Sequence, residues 1–163
     1  MHLADTSAST ETPEIITSAP ALRPADIYTS AAVPGSMAAL DVGVCSPDAS
    51  GAGNDCCESM WRRKRDHYSD FADEMRAAGV AYVPLVVSCY GRWHADSVVV
   101  LERIAMQACR RLGIGDHRPL LRRAHSALGV ALWRRAVAMA RACLPSHSAE
   151  ELCILFGDGE ADE

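Results

Sequence analysis

Three runs of apolar residues have the composition of β-strands. Two of them, ADIYT at 25–29 and MAALDVGVCS at 37–46, flank the segment SAAVPGS, in which Pro34 and Gly35 indicate a turn. The third, VAYVPLVVSCYG at 80–91, is almost continuously apolar and β-branched, as is typical of a strand covered on both faces. The pattern predicts a β-hairpin followed, further along the chain, by one buried strand.

A helix is predicted between the hairpin and the buried strand. Asn54 or Asp55 can cap its start, and it runs to about Ala78, where Gly79 is a natural stop. One face of this helix carries, at the spacing i, i+4, i+7 and i+11, the residues Lys64, Tyr68, Phe71 and Met75. A strand that follows a helix in this way implies a crossover connection.

The remaining chain has helical periodicity. It predicts helices at about 95–112, about 117–144 and about 148–156. Residues 1–21 are rich in Ser, Thr, Pro and Ala without sustained periodicity, so we expect a lead-in that does not fold. Residues 157–163 form an acidic tail. The fold class expected is α/β, with a small mixed sheet in residues 22–94 and a helical C-terminal extension over 95–156.

Charge is distributed unevenly along the 163 residues. The net charge is -5, but residues 61–145 carry fifteen Lys or Arg against seven Asp or Glu, a local charge of +8. This asymmetry is compatible with a polyanionic partner such as DNA, and an ordinary set of solvated helix faces explains it equally well.

The seven cysteines include no CxxC pair and no Cys/His spacing of the structural zinc type, so no zinc site is expected. Most of them lie in apolar runs, where a free thiol acts as a small hydrophobic group, which predicts a reducing compartment. No signal peptide and no membrane span is recognisable. We therefore expect an intracellular protein.

Lys64 is the only lysine in a chain with fifteen arginines. A compact ammonium can stabilise a single developing oxyanion beside a metal ion, a position that a planar guanidinium does not suit. The alternative is an accident of an arginine-rich composition. The residues around Lys64 decide between these two interpretations.

Two acids, Asp26 and Asp41, lie at nearly equal distances from the predicted turn, so pairing of the hairpin makes them near cross-strand neighbours. Two adjacent carboxylates repel each other unless a cation lies between them, and carboxylates suit Mg²⁺ or Mn²⁺. Asp41 also interrupts an apolar strand, where an uncompensated acid is costly. Taken alone, Asp26 is better explained as an ordinary turn or edge-strand acid.

The order of RPADI, ALDVGVCSP fifteen residues on, RRKRDHY and YVPLVVSCYGRW resembles the PD-(D/E)XK nuclease superfamily. Within it, the chain resembles the restriction-like endonuclease domain that follows the reverse transcriptase in some non-LTR retrotransposons. The resemblance covers roughly residues 22–94. It implies a restriction-endonuclease-like sheet, Mg²⁺ or Mn²⁺ held by Asp26 and Asp41, a catalytic lysine on the following helix at Lys64, and Tyr68 one turn later.

The chain departs from the family pattern in several places. The usual adjacent Pro-Asp is here Pro24, Ala25, Asp26, and the common lysine two residues after the second acid is replaced by Gly43, which leaves Lys64 to serve from the helix. The family fold also begins with a helix and a first strand, neither of which is recognisable in residues 1–21. The resemblance implies that the chain derives from the end of a longer polyprotein, truncated on its N-terminal side.

Further residues are candidates for contact with nucleic acid. Arg123, Arg134 and Arg141 fall close to one line of the predicted helix at 117–144 and can follow phosphates. Arg92 and Trp93 follow the buried strand and can contact DNA by charge and stacking. The alternatives are a solvated arginine face, and a tryptophan that packs on the sheet.

The sequence thus leads to two hypotheses. The first is a metal-dependent DNA endonuclease domain of retroelement origin, nuclear if it acts on chromosomal DNA, whose parent element would carry an upstream reverse transcriptase. The second is a catalytically inactive remnant that acts at most as a nucleic-acid-binding or structural domain.

Overall fold

The computed structural model describes residues 5, 8–10 and 15–143, which form one four-stranded sheet and the helices packed on it. The strands are β1 (Ser9–Thr10), β2 (Ile27–Thr29), β3 (Met37–Cys45) and β4 (Val80–Ser88). The helices are α1 (Cys56–His67), α2 (Ala72–Ala77), α3 (Ala95–Leu112) and α4 (Arg118–Cys143). Strand order is β1-β2-β3-β4, antiparallel except for the parallel β3–β4 pair. The predicted α/β class with a mixed sheet is confirmed.

The hairpin forms with the predicted register. Ile27 pairs with Leu40 and Thr29 pairs with Ala38, so the pairing is centred on the turn that Pro34 and its neighbours make. The predicted buried strand is β4, and its apolar residues from Leu85 onward are buried. Because β3 and β4 run parallel, the helical segment between them is the expected crossover.

The crossover is interrupted where the sequence predicts one continuous helix. Asp55 caps α1 by accepting the backbone N–H groups of Cys57 and Glu58. The helix ends at Tyr68, whose backbone leaves helical geometry, and a 3-10 helix at Ser69–Phe71 leads into α2. The buried Tyr68 ring is packed against the sheet at this break, so the prediction of an unbroken helix to Ala78 is wrong.

Alternate residues of β3 face two different helical layers. Ala39 packs in a core cluster with Tyr68 and with Met75 of α2. Its neighbour Leu40 packs with Val100 of α3 on the opposite face. The sheet therefore lies between an α1–α2 layer and a layer that begins with α3.

The N-terminal segment contributes to the fold where it is described. Ile15 and Ile16 are buried in the same core cluster as Ala39, and β1 pairs with β2. The carboxylate of Glu74 on α2 accepts hydrogen bonds from Thr17 and Ser18. These residues depart from the expectation of an unfolded lead-in over 1–21, because their apolar side chains cover the α2 side of the sheet.

The C-terminal helices begin and end close to the predicted positions. Gly113 ends α3 with a left-handed backbone conformation (φ 67°), which glycine adopts without strain. The predicted helix at 148–156 and the acidic tail at 157–163 lie outside the described residues. Within the part of the chain that the structure describes, no helix has both the length and the apolar character needed to cross a membrane.

Candidate active site

Asp41 is bound by two side chains from different elements. Lys64 of α1 donates to Asp41 Oδ1 over 2.5 Å, and Tyr82 of β4 donates its hydroxyl proton to Asp41 Oδ2 over 2.6 Å. The side chains of Lys64 and Asp41 are only 18% and 16% exposed. Such a shielded ion pair resists screening by salt, and loss of either partner would leave a poorly solvated charge. The acid that interrupts the apolar strand is therefore compensated by a lysine and a tyrosine.

Gly43 makes room for the lysine. It follows Asp41 by two residues and therefore lies on the same face of β3. A Cβ atom at position 43 would lie 2.5 Å from Lys64 Cε, so the lysine chain crosses the strand through the space that any larger residue would fill. The absence of a side chain at position 43 and the presence of lysine at position 64 are thus two parts of one arrangement.

Asp26 is joined to both neighbours of Asp41 in the sequence. Its backbone N–H donates to the Leu40 carbonyl over 2.9 Å, and its Oδ2 accepts the Val42 N–H over 2.7 Å. The prediction that the two residues are near cross-strand neighbours is therefore confirmed. Asp26 is exposed, whereas Asp41 is mostly covered by the side chains that bind it.

Two tyrosines line the base of this cluster. Their rings lie 4.6 Å apart between centroids. Burial raises the pKa of Tyr68, and the charges of Asp41 and Asp26 raise it further. Burial and then the hydrogen bond to Asp41 raise the pKa of Tyr82 far above its ordinary value. Tyr82 therefore remains a protonated donor to Asp41 at every physiological pH.

Tyr68 has a supporting position in this arrangement. Its hydroxyl donates to the Arg23 carbonyl over 3.3 Å, and the ring is buried against Tyr82. The bond ties the end of α1 to the segment that leads into Asp26. Tyr68 is thus brought to the predicted cluster, where its contacts are with the backbone and with another ring.

An open cleft of about 500 Å³ adjoins the ion pair. Among its lining residues are Asp41, Lys64, Arg63 and His67. Arg63 and His67 are exposed, so a bound anion could reach them together with the lysine. Arg63 was not among the residues that the sequence indicated, because one arginine in the run WRRKR cannot be told from the others before the helix is oriented.

Tyr82 is the second residue that sequence reasoning missed. Asp41 pairs with Pro84, and Tyr82 lies two residues before Pro84 on the same face of β4. The only signal in the sequence is a hydroxyl-bearing residue within an otherwise apolar strand. Its pairing with Asp41 depends on the β3–β4 register, which the sequence does not reveal.

Arg92 and Trp93 do not join the cluster. Arg92 makes two hydrogen bonds to the carboxylate of Asp55, at 3.0 and 2.6 Å, and so holds the N-terminus of α1. The hydrogen bonding to Arg92 is the main reason why the pKa of Asp55 is lowered. Trp93 is half-buried and stacks on His125 of α4, with 5.8 Å between the ring centroids. Their observed contacts are therefore within the protein.

His94 is buried and has a structural role. Its Nδ1 accepts the backbone N–H of Asp96 and so caps α3, which leaves Nε2 to donate to Glu58 over 2.8 Å. The ring stacks on Trp61. The hydrogen bond from His94, followed by that from Arg62, lowers the pKa of Glu58.

The arginine row of α4 lies away from the acids. Arg123, Arg134 and Arg141 are all exposed. Inward-facing residues of α4, such as Leu120 and Leu128, line an apolar groove with Leu40 of β3 and Leu85 of β4. Since Leu40 and Asp41 face opposite sides of the sheet, the arginine row belongs to the layer behind the candidate site.

The donors at the cluster fit a hard cation. Asp26 and Asp41 offer carboxylate oxygens, which Mg²⁺ and Mn²⁺ prefer. Each carboxylate oxygen has two lone pairs, and each Asp41 oxygen takes one of the hydrogen bonds described above. A lone pair on each oxygen is therefore left for a metal.

No protein-family model, no curated protein and no solved structure matches this chain.

Proposed function

We propose that the chain is a metal-dependent DNA endonuclease domain of retroelement origin, of the PD-(D/E)XK type, which hydrolyses a phosphodiester to nick its target. The observation that carries the proposal is the Asp41–Lys64 ion pair at one cleft, with Asp26 bound across the hairpin to the backbone of Val42, next to Asp41. The sequence alone predicts these three residues as the candidate site. Two acids on a hairpin and a lysine on the following helix are what the resemblance implies.

The sheet gives further support. The family fold has a first strand ahead of the hairpin, and β1 occupies that position next to β2. Its parallel β3–β4 pair with a helical crossover is also consistent with a restriction-endonuclease-like core. The described part of the N-terminal segment therefore supplies one element that the sequence did not reveal.

The lysine position is the most specific support. The common family lysine would project from position 43, on the same face of β3 as Asp41. Gly43 is found there, and the Lys64 chain passes directly over it to reach Asp41. The ammonium is thus delivered from α1 to the region that a lysine at position 43 would serve.

Each residue has a defined role in this proposal. Asp26 and Asp41 would hold Mg²⁺ or Mn²⁺, which when bound would supply charge neutralisation at the scissile phosphate and activation of water. Lys64 stabilises the negative charge that develops on a phosphate oxygen, or orients the attacking water. Tyr82 fixes the Asp41 carboxylate, and Tyr68 packs behind the pair and anchors the strand that leads to Asp26.

DNA is the proposed partner, and the basic middle segment supplies the attraction. Arg63 and His67 line the cleft and are placed to contact the phosphates next to the reacting one. Arg123, Arg134 and Arg141 lie on the other layer and would add binding that does not depend on base sequence. On chromosomal DNA the site of action would be the nucleus.

The alternative function is a folded but inactive remnant, and one observation favours it. Both Asp41 oxygens already accept strong hydrogen bonds within the protein, so the Lys64–Asp41–Tyr82 group is stable without any metal. In that case the cluster would serve only to join α1 and β4 to β3.

A plasmid-nicking assay separates the two functions. Purified chain is incubated with supercoiled plasmid in Mg²⁺, in Mn²⁺ and in excess chelator. The endonuclease proposal predicts conversion to open circles with either metal and none with chelator. A folded chain that leaves the plasmid supercoiled under every condition would support the remnant.

A further inference from the structure

Three cysteines meet at the junction between β3 and α1. Cys45 is the last residue of β3, and Cys56 and Cys57 are the first two residues of α1. Their Sγ atoms all lie within 4.8 Å of one another, and those of Cys45 and Cys57 are 3.6 Å apart. All three side chains are buried. None of these thiols belongs to the cluster around Asp41.

These separations suit a single metal ion. With metal–sulfur bonds of about 2.3 Å, three sulfur ligands around one ion lie about 4 Å from one another. The observed sulfur atoms are near that spacing before any ion is added, so small side-chain rotations are enough to enclose one. The backbone would not need to move.

Two features next to the three thiols favour negative charge, whereas their burial opposes it. Cys56 and Cys57 lie in the first turn of α1, where unpaired N–H groups and the helix dipole favour anions. The Arg92 guanidinium lies 3.9 Å from Cys56 Sγ. Without a metal, burial together with hydrogen bonds to the other two thiols raises the pKa of Cys45 to about 12. A metal would bind by displacing the thiol protons.

We propose that Cys45, Cys56 and Cys57 form a binding site for one thiophilic metal ion. Three thiolates are soft ligands, which select Cu⁺ or Zn²⁺ and not the Mg²⁺ of the carboxylate site. Among the described residues, the group includes no fourth His, Cys, Asp or Glu. Because protein-bound Zn²⁺ is almost always four-coordinate, the three-ligand set favours Cu⁺.

The bound ion would have a structural effect on the rest of the molecule. It would close the connection at 46–55, which includes Gly51 and Gly53, and fix the start of α1 to the end of β3. Lys64 lies two turns further along α1, so the same bond would steady the lysine over Gly43. This proposal stands independently of the endonuclease activity.

The site was not expected from the sequence because the cysteine spacing matches no short zinc motif. Cys45 is separated from Cys56 by a ten-residue connection, and only the return of α1 along β3 brings them together. The Cys45 thiol also contacts the Val87 carbonyl, at 3.6 Å, so β4 packs against the three cysteines as well.

The test measures metal retention by the full-length chain. Reduced protein is mixed anaerobically with excess Cu⁺ or with excess Zn²⁺ and desalted, and the metal per chain is measured by mass spectrometry. The variants are Cys56→Ala and Cys57→Ala, and the matched control is Cys109→Ala, which removes a buried thiol of α3. Far-UV circular dichroism establishes that each variant is folded.

We expect wild type and Cys109→Ala to retain one ion per chain, and Cys56→Ala and Cys57→Ala to lose at least nine tenths of it. The same ion should raise the melting temperature of wild type and leave that of Cys56→Ala unchanged. If Cys57→Ala fails to fold, Cys56→Ala decides the result. Reduced wild type that retains no metal, or equal retention by wild type and the folded variants, would overturn the proposal.

Discussion

At the scale of single residues, the size of one side chain determines the position of another. Lys64 reaches Asp41 only because Gly43 leaves the face of β3 open at that point. Tyr82 completes the arrangement by holding the second Asp41 oxygen. The lone lysine of the chain thus lies where its charge is needed, which favours a specific role over an accident of composition.

Replacement of Lys64 by arginine keeps the charge and changes its shape. A planar guanidinium is too wide for the space over Gly43 and cannot present one donor at the point that the ammonium reaches. We expect nicking by Lys64→Arg to fall roughly a hundredfold to a thousandfold. Initial rates of plasmid relaxation measure this. Equal rates for wild type and Lys64→Arg would show that the metal alone carries the reaction.

Gly43→Ala should act through Lys64. The added Cβ would collide with Lys64 Cε, and because that atom is near the end of a flexible side chain, the lysine moves and the strand does not. We expect the ion pair to be lost and the free energy of unfolding to fall by about 1–2 kcal/mol. The nicking rate should fall roughly a hundredfold.

A double-mutant cycle isolates this contact. In a Lys64→Ala background, Gly43→Ala should have little further effect on urea-induced unfolding, because the colliding atoms are gone. Gly115→Ala is the control, since a Cβ at that position would meet no atom of the described residues within 4 Å. Equal destabilisation by Gly43→Ala in both backgrounds would show that the glycine does not act through the lysine.

At the scale of elements, both helical layers carry positive charge, but in different arrangements. The α1–α2 layer carries the cleft with Lys64 and Arg63, whereas α4 carries an exposed row of Arg123, Arg134 and Arg141 behind the sheet. The row spans 18 residues, or about 27 Å of helix. Such a row can follow a phosphate backbone without contributing to the reaction.

Replacement of the three α4 arginines by glutamine should flatten the salt dependence of DNA binding. Each lost phosphate contact removes roughly 0.9 from the slope of log K against log salt, so the triple variant should lose about 2.7. Fluorescence anisotropy at several salt concentrations measures the slope. A triple change of Arg103, Arg110 and Arg118 removes equal charge as the control, and an equal change of slope in both variants would refute a specific role for the row.

The sequence predicted the elements better than their contacts. Turn residues and alternation were enough for the hairpin, and so for the proximity of Asp26 and Asp41. The break at Tyr68 was missed because helical spacing continues through it, while packing of the ring on the sheet ends the helix. Tyr82 was missed because its contact depends on the register of two parallel strands, a long-range property.

At the scale of the whole molecule, the N-terminal segment and α2 are joined by one acid. Glu74 accepts hydrogen bonds from the Thr17 hydroxyl, at 2.6 Å, and from the Ser18 backbone, at 2.9 Å. The adjacent Ile15 and Ile16 are buried in the core. Composition alone suggested an unfolded lead-in, because two isoleucines among polar residues give no periodicity.

Stability should depend on pH through Glu74. Hydrogen bonds from Ser18, and next from Thr17, lower its pKa to about 2 from 4.5. Because the folded pKa is the lower one, the stabilisation is fully present above pH 4.5 and is lost as pH falls toward 2. Glu74→Gln should therefore lower the melting temperature at pH 7, by a margin that shrinks below pH 4.5.

Asp73→Asn is the control for this measurement, since Asp73 is an exposed acid on the same helix. The melting temperature of Asp73→Asn should differ little from that of wild type at every pH. If the melting temperature of Glu74→Gln stays below that of wild type by the same margin from neutral to acidic pH, ionisation of Glu74 does not hold the N-terminal segment.

The most direct test of the central claim compares two single substitutions of aspartate by asparagine in the Mg²⁺-dependent nicking assay. Asp41→Asn removes a proposed metal ligand with little change of shape, and Asp66→Asn changes an exposed acid of α1 as the control. We predict nicking by wild type and Asp66→Asn, and none above buffer by folded Asp41→Asn. Equal nicking by Asp41→Asn and wild type, or no nicking by any folded form, would contradict a metal-dependent nuclease centre at Asp26, Asp41 and Lys64.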